Sequence, residues 1–249
     1  MELSKGINTL IRSEGRNNST IRKTTIESGV QQFAEGSALI QTGKTRVLCT
    51  ATIENGVPRF LKNSGQGWLT AEYSMLPRAT LTRRDREIGP SGLGGRTQEI
   101  QRLVGRSIRA IVDMEKLGER TIFLDCDVIQ ADGGTRTAAI SGAYVALYQA
   151  VSRMLKNGVI QSNPLKGAVA AISVGVVSGE TILDLCYDED SRADLDFNVV
   201  MTDKGDLVEI QGTAEGDPFP RSVVDDLISL AELGVKYHFE AQNIAIQGL

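Results

Sequence analysis

Between Leu124 and Ala143 the chain reads LDCDVIQADGGTRTAAISGA: an apolar strand runs into Gly133-Gly134, then Thr-Arg-Thr, then a helix of small side chains. That order specifies a strand-turn-helix unit and, with it, an anion pocket. The two glycines let the backbone turn tightly and come close to a ligand. The first N–H groups of the following helix lack intrahelical acceptors and carry the positive end of the helix dipole. Arg136 adds a rigid fork for phosphate oxygens. Thr135 and Thr137 are each placed to cap the helix or to donate a hydroxyl to the same anion. Taken alone, the segment also reads as an ordinary strand-to-helix connection with a solvated arginine, so other segments must decide.

The chain has 249 residues, 41% of them hydrophobic, which is ample for a sizeable core. No Pro-rich or Ser-rich linker divides it, so a single domain over residues 13–249 is expected, preceded by an N-terminal extension, residues 1–12 (MELSKGINTLIR). The longest apolar run, GAVAAISVGVV from Gly167 to Val177, is far short of the ~20 residues that span a bilayer, so no membrane contact is expected. Cys49, Cys126 and Cys186 sit in apolar, strand-like runs without CxxC pairing, and no signal core precedes them. A soluble, cytoplasmic protein with reduced thiols is the expectation. With a formal net charge of −4, contact with nucleic acid must come from a local basic surface.

Such a surface is available from Pro77 to Ala110, PRATLTRRDREIGPSGLGGRTQEIQRLVGRSIRA. Its glycine-rich first half reads as a mobile arm carrying Arg83, Arg84 and Arg86. Its second half is helical: Ile100, Leu103, Val104, Ile108, Ile111 and Val112 share one face, while Arg102, Arg106 and Arg109 recur at four and three residues. Arginines on a loop and along a helix suit a polyanion. A solvated or salt-bridged face is the equal alternative for the helical ones.

A third constellation is TILDLCYDEDSRADLDFNVVMT, Thr181 to Thr202, where two strand patterns flank a turn holding Asp188, Glu189, Asp190, Asp194 and Asp196. A hairpin would let Asp190 and Asp196 face one hard cation, and Mg²⁺ typically takes one or two carboxylates plus substrate phosphates. An exposed acidic turn is the plainer alternative. Together, an anion pocket, a candidate Mg²⁺ site and an arginine surface form the equipment of phosphoryl or nucleotidyl transfer.

Absent chemistry narrows the field. His238 is the sole histidine, so no histidine pair serves as acid and base. QTGKTR at Gln41 to Arg46 is not a Walker loop, because Ala38 stands where its first glycine belongs; it reads as a hairpin turn. HExxH, GxSxG and paired CxxC motifs do not occur. Further along, Val223 to Leu233 reads as an amphipathic packing helix. Trp68 and Tyr73 have rings that could stack on bases, but their strand setting favours burial of both.

These residues carry a resemblance to the bacterial ribonuclease PH family, the phosphate-dependent 3′-to-5′ exoribonucleases related to exosome ring subunits. It runs through GRNNSTIRK, GVPRFLKNSGQGWLTAEYSMLPRAT, GGRTQEIQRLVGRSIRA, LDCDVIQADGGTRTAAISGA, NPLKGAVAAISVGVV, EDSRADLDFNVVMT and EIQGTAEGDPF, nearly the whole chain after its opening extension. The resemblance implies an α/β (α+β) fold of mixed sheets covered by helices. It implies inorganic phosphate as co-substrate held by Arg96, Gly134, Thr135 and Arg136, and Asp190 and Asp196 as catalytic carboxylates binding Mg²⁺. Arg78, Arg83 and Arg86 are implied in RNA binding and assembly of a homohexameric ring, a trimer of dimers. The implied substrate is a tRNA precursor trailer, shortened with release of nucleoside diphosphates in a reversible reaction. A non-catalytic RNA-binding ring subunit is the rival, and Arg96, Thr135, Arg136, Asp190 and Asp196 speak against it. The chain departs from the family pattern at Leu81 (usually histidine), at Ser74 (often glycine), at Arg192 (often a small residue) and in the arm 88–94, which lacks the usual lysines.

Overall fold

A computed structural model describes residue 12, residues 15–87 and 92–247, and residue 249. The expected extension, apart from Arg12, and the arm's tip at 88–91 lie outside the described residues.

Two sheets form the frame. The first has the spatial order β1 (Thr24–Ser28), β2 (Gly36–Thr42), β3 (Thr45–Asn55), β5 (Arg120–Gln130), β4 (Trp68–Met75). All its neighbours run antiparallel except β4 and β5. A parallel pair needs a crossover, which α1 (Gly95–Ala110) and the short α2 (Met114–Leu117) supply. The QTGKTR segment is the expected hairpin turn, pairing Thr42 with Thr45. The second sheet, wholly antiparallel, is ordered β7 (Glu180–Leu183), β6 (Val169–Val177), β8 (Leu195–Thr202), β9 (Leu207–Ala214). The architecture is therefore the expected mixed α/β type.

Between the sheets lies α3 (Thr135–Lys156), packed on β2 and β3 on one side and on β6 on the other. A helix enclosed on both sides must be apolar and slim nearly all round, which explains Ala138, Ala139, Gly142, Ala143 and Ala146. One apolar cluster thus runs from Val47 and Leu124 through α3 to Val169, Ala171 and Val200. The other face of the second sheet, with Ala170, Ile172, Val174, Phe197 and Val199, packs on Leu227, Ala231 and Val235 of α5 (Arg221–Ile246). Strand alternation does the sorting.

Three expectations need correction. Thr181 to Thr202 is not a hairpin, because β7 and β8 lie on opposite sides of β6. The reason is burial: β6 is apolar but for Ser173 and almost wholly buried, so it takes the interior position. The chain then crosses its end through one helical turn, α4 (Tyr187–Asp190). Cys186 caps that turn and does not lie in a strand, although all three cysteines are buried and outside any disulfide among the described residues. Finally, α5 continues well beyond Leu233. Its inward stripe there includes His238 and Gln242, whose polarity hides the apolar period; they bond Ser141 through His238 Nδ1 to Oγ (3.1 Å) and Gln242 Nε2 to the carbonyl (2.9 Å).

Leu147, fully buried in α3, tests the claim that this helix joins both halves of the core. Leu147→Ala is expected to lower the unfolding free energy by about 2–5 kcal/mol, measured by urea denaturation, with a single transition retained.

Candidate active site

The face of the second sheet turned toward α3 changes character along its length. From Ala171 opposite Val200 it passes to Ser173 opposite Asn198 and then Gly175 opposite Asp196. The apolar pair packs on α3; the polar positions lie where α3 begins. There a cavity of about 310 Å³ opens.

The turn arrives from β5. Gly133 and Gly134 are both left-handed, at φ 75° and 65°, and Gly134 is the N-cap of α3. No side chain caps this helix: Thr135 Oγ1 pairs with the Tyr73 hydroxyl at 2.8 Å, and Thr137 Oγ1 donates to the Gly134 carbonyl at 2.9 Å. The capping expected of either threonine is thus replaced by bonds that hold the turn and β4 together.

Arg136 is steadied from two sides, its Nη1 donating to Gln211 Oε1 on β9 at 2.9 Å and to Glu99 Oε1 on α1 at 3.4 Å. Gln211 is held by Glu209, which accepts two bonds from Arg106. Arg96 enters from the first turn of α1. Gly134, Thr135, Arg136 and Arg96 all line the cavity, and so do Asp190, at the end of α4, and Asp196, near the start of β8.

Both carboxylates resist ionisation. Burial raises the Asp190 carboxyl above its usual range, with Glu215 adding to the rise and Arg96 and Arg136 opposing it. Burial raises Asp196 as well, the Asp190 charge adds to that, and Arg136, Asn198 and Arg96 pull the other way. Crowded anions that resist ionisation suit a cation. Among the described residues, no group of three or more His, Cys, Asp or Glu is placed to hold a metal.

The other acidic residues have separate fates. Asp188 and Asp194 are exposed. Glu189 is buried and accepts from Arg12 Nε and Nη2 at 2.8 and 2.9 Å and from the Cys186 N–H at 3.0 Å. Burial raises its carboxyl, but those bonds with the charges of Arg12 and Arg16 bring it down to about 2. Arg192 donates to the Asp188 carbonyl at 2.7 Å and stands apart from the cavity.

The basic surface proves smaller than its arginine content. Arg106 is paired with Glu209, and Arg109 lies over the Trp68 ring, 5.1 Å from its centroid, while donating to the Leu69 carbonyl. Arg78, Arg83 and Arg86 are exposed; Arg83 pairs with Asp85 at 2.6 Å, and Arg86 lines a neighbouring hollow. Arg84 lines both that hollow and the main cavity. Also unforeseen at the cavity are Ser173, Asn198 and the half-exposed Tyr187. Two of these had a signal: Ser173 is a lone polar residue in an apolar strand, and Asn198, two positions from Asp196, must share its face. His238 lies elsewhere, buried and lowered by that burial to about 4.

Residues 20–153 match domain 1 of the 3′ exoribonuclease family and residues 167–233 match domain 2. Ribonuclease PH of Dehalococcoides mccartyi strain CBDB1 is 54% identical over 232 residues, covering 93% of this chain and 96% of the relative. The ribonuclease PH of strain 195 is likewise 54% identical, over 93% of this chain and 97% of its own length. The chain belongs to the 3′ exoribonuclease family. In fold it is similar to rice (Oryza sativa) Rrp46, with a TM-score of 0.75 at 20% identity over 95% of this chain and 99% of that one. It is also similar to a chain of the Archaeoglobus fulgidus exosome with RNA bound to the active site, with a TM-score of 0.77 at 22% identity over 92% and 91%.

Two stability measurements test the electrostatics. A raised carboxyl subtracts stability above its folded value and nothing below its unfolded one. Asp196→Asn is therefore expected to raise the metal-free melting temperature at neutral pH, by roughly 2–4 °C per kcal/mol relieved, with the gain vanishing as pH falls below about 4. Glu189 has the opposite sign: its contribution is complete above the ordinary value of 4.5 and is lost as pH falls toward about 2. Glu189→Gln should flatten the stability profile across that window.

Proposed function

We propose that this cavity performs the family reaction, phosphate-dependent shortening of RNA from its 3′ end, with release of nucleoside diphosphates. The observation that carries the reading is convergence: the open N-terminus of α3, Arg96, Arg136, Asp190 and Asp196 all face one 310 Å³ space. The first amides of α3, with Arg96 and Arg136, offset the charge of orthophosphate and aim one oxygen at the last internucleotide phosphorus. The Thr135 hydroxyl, fixed by Tyr73, is within the same wall and orients the ion. Catalysis is then positioning and charge stabilisation without a covalent enzyme intermediate. One phosphodiester is exchanged for a phosphoanhydride, so the reaction runs in both directions according to phosphate and nucleoside diphosphate levels.

Asp190 and Asp196 are the residues that would hold Mg²⁺, a reading supported by the burial that raises both carboxyls and by the Asp190 charge that adds to the rise at Asp196. That ion, when bound, stabilises negative charge on the departing 3′ oxygen. The preferred substrate on this reading is a tRNA precursor trailer in the cytoplasm. No helix among the described residues is long and apolar enough to cross a membrane. Assembly is proposed as a homohexameric ring, with the exposed Arg78, Arg83 and Arg86 at subunit contacts or on the RNA path.

The decisive experiment incubates protein, RNA and Mg²⁺ with and without inorganic phosphate and analyses the nucleotides released. Diphosphates formed only with phosphate are expected; phosphate-independent monophosphates would refute phosphorolysis. Asp196→Asn should lose at least about a hundredfold in kcat while sedimenting as the wild type does. Arg136→Ala should raise the phosphate KM by about tenfold or more, since it removes a charge-assisted contact to the ion.

A further inference from the structure

Arg22, two residues ahead of β1, is buried with 3% exposure, and its guanidinium is fully engaged. Its backbone N–H and Nε donate to Asp184 Oδ2 at 2.7 and 2.9 Å, and Nη2 donates to Asp184 Oδ1 at 2.6 Å. Nη2 also reaches the Leu185 carbonyl at 3.2 Å. The remaining arm, Nη1, donates to the carbonyl of Asp132. Asp132 is the last residue before the Gly133-Gly134 turn; Asp184 and Leu185 lead directly into α4 and Asp190. One planar group therefore joins two segments that line the cavity, one through Gly133 and Gly134 and the other through Tyr187 and Asp190.

The ends of this bridge are themselves fixed. The Asp132 N–H donates to Thr45 Oγ1 at 2.9 Å, and that hydroxyl donates to the Gly133 carbonyl at 2.7 Å. A Cβ on Gly134 would lie 3.3 Å from Arg22 Nη2, so the guanidinium rests against the turn itself. On the other wall Asp184 holds a left-handed backbone at φ 55°, unfavourable for a residue other than glycine, and its N–H donates to the Ser173 carbonyl at 2.8 Å. Arg12 grips Glu189, the neighbour of Asp190, so both ends of α4 are tied. Arg22 differs from Arg12 in touching the glycine turn as well.

We propose that Arg22 is a positioning residue for phosphorolysis: by bridging the Asp132 carbonyl and the Asp184 carboxylate it sets the spacing between the phosphate-gripping turn and Asp190. The proposal rests on the reaction assigned above. Charge balance alone would be met by lysine, but one ammonium on a flexible stem cannot make this set of bonds in fixed directions. A displacement of about 1 Å between reacting groups is enough to cost up to about a hundredfold in rate.

The test is steady-state phosphorolysis of a single-stranded RNA with phosphate varied, and a thermal melt, for the wild type, Arg22→Lys, Asp184→Asn and the remote core variant Leu117→Val. Arg22→Lys is expected to melt cooperatively, with phosphate KM raised about fivefold or more and kcat lowered about tenfold or more. Asp184→Asn, which keeps an acceptor but removes the charge, should shift both constants in the same directions. Leu117→Val should lose melting temperature with both constants near wild type. Arg22→Lys with wild-type constants overturns the proposal, as does a loss in either site variant that merely follows melting temperature. If Arg22→Lys does not melt cooperatively, Asp184→Asn decides by the same criteria, and failure of both assigns the pair to folding and overturns it too. Wild-type protein that shortens RNA equally without phosphate removes the reaction instead, before any variant is compared.

Discussion

At Gly133 there is no room for a side chain: a Cβ would lie 2.4 Å from the Leu185 carbonyl oxygen and 2.7 Å from the Cys186 carbonyl carbon. The turn before α3 and the approach to α4 therefore touch backbone to backbone, and this contact brings two sequence-distant walls of the cavity together. Everything around it serves the same closeness. Thr45 closes the turn from β3, and Ser173 Oγ accepts the Leu185 N–H from β6. Because α3 lies between the sheets, its open N-terminus can emerge only where the face of β6 and β8 turns polar. Core packing thus decides where the helix dipole points.

A chain with net charge −4 nevertheless presents arginines to its cavity, and the distribution of their partners explains how. Arg12 and Arg22 are matched within the core by Glu189 and Asp184; Arg106 is matched at the surface by Glu209. Buried pairs of this kind recover little net stability, because desolvating both ions offsets most of their attraction. Their yield here is geometry, since each bond fixes a loop beside the cavity. Asp184 illustrates the balance: burial pushes its carboxyl up, and Arg22, by charge and by hydrogen bonds, more than reverses this. The groups left to meet an incoming anion are fewer and better aimed than the sequence suggests.

What could be read from the chain followed from short-range rules. The strand, glycine turn and helix around Thr135 were legible because only glycine accepts those dihedrals so readily, and the β2–β3 hairpin because its turn is short. The α1 stripe was legible because four of its six expected positions, Ile100, Leu103, Val104 and Ile108, are buried within the helix, with Ile111 and Val112 buried just past it. The order of β7, β6 and β8 was not, because period-two patterns identify strands without saying which are neighbours. Arg22 escaped notice for a related reason. An arginine between a loop and a strand has no local signature, and its partners lie 110 and 162 positions away.

The cavity's two walls have opposite needs, and their proximity is the basis of the proposed chemistry. Arg96 and Arg136 lower the cost of an anion, while Asp190 and Asp196, both raised by burial, lower the cost of a proton or cation. Moved apart, the acids would lose the arginine charges that now oppose their rise. Held together, the arginines already pull both carboxyls partway back toward ionisation. An orthophosphate drawn to the arginines weakens that pull, which makes a cation between the carboxylates and the phosphate oxygens more favourable in turn. On the proposed reading the two ligands reinforce each other through charge alone, and the fold's task is to keep the walls from separating.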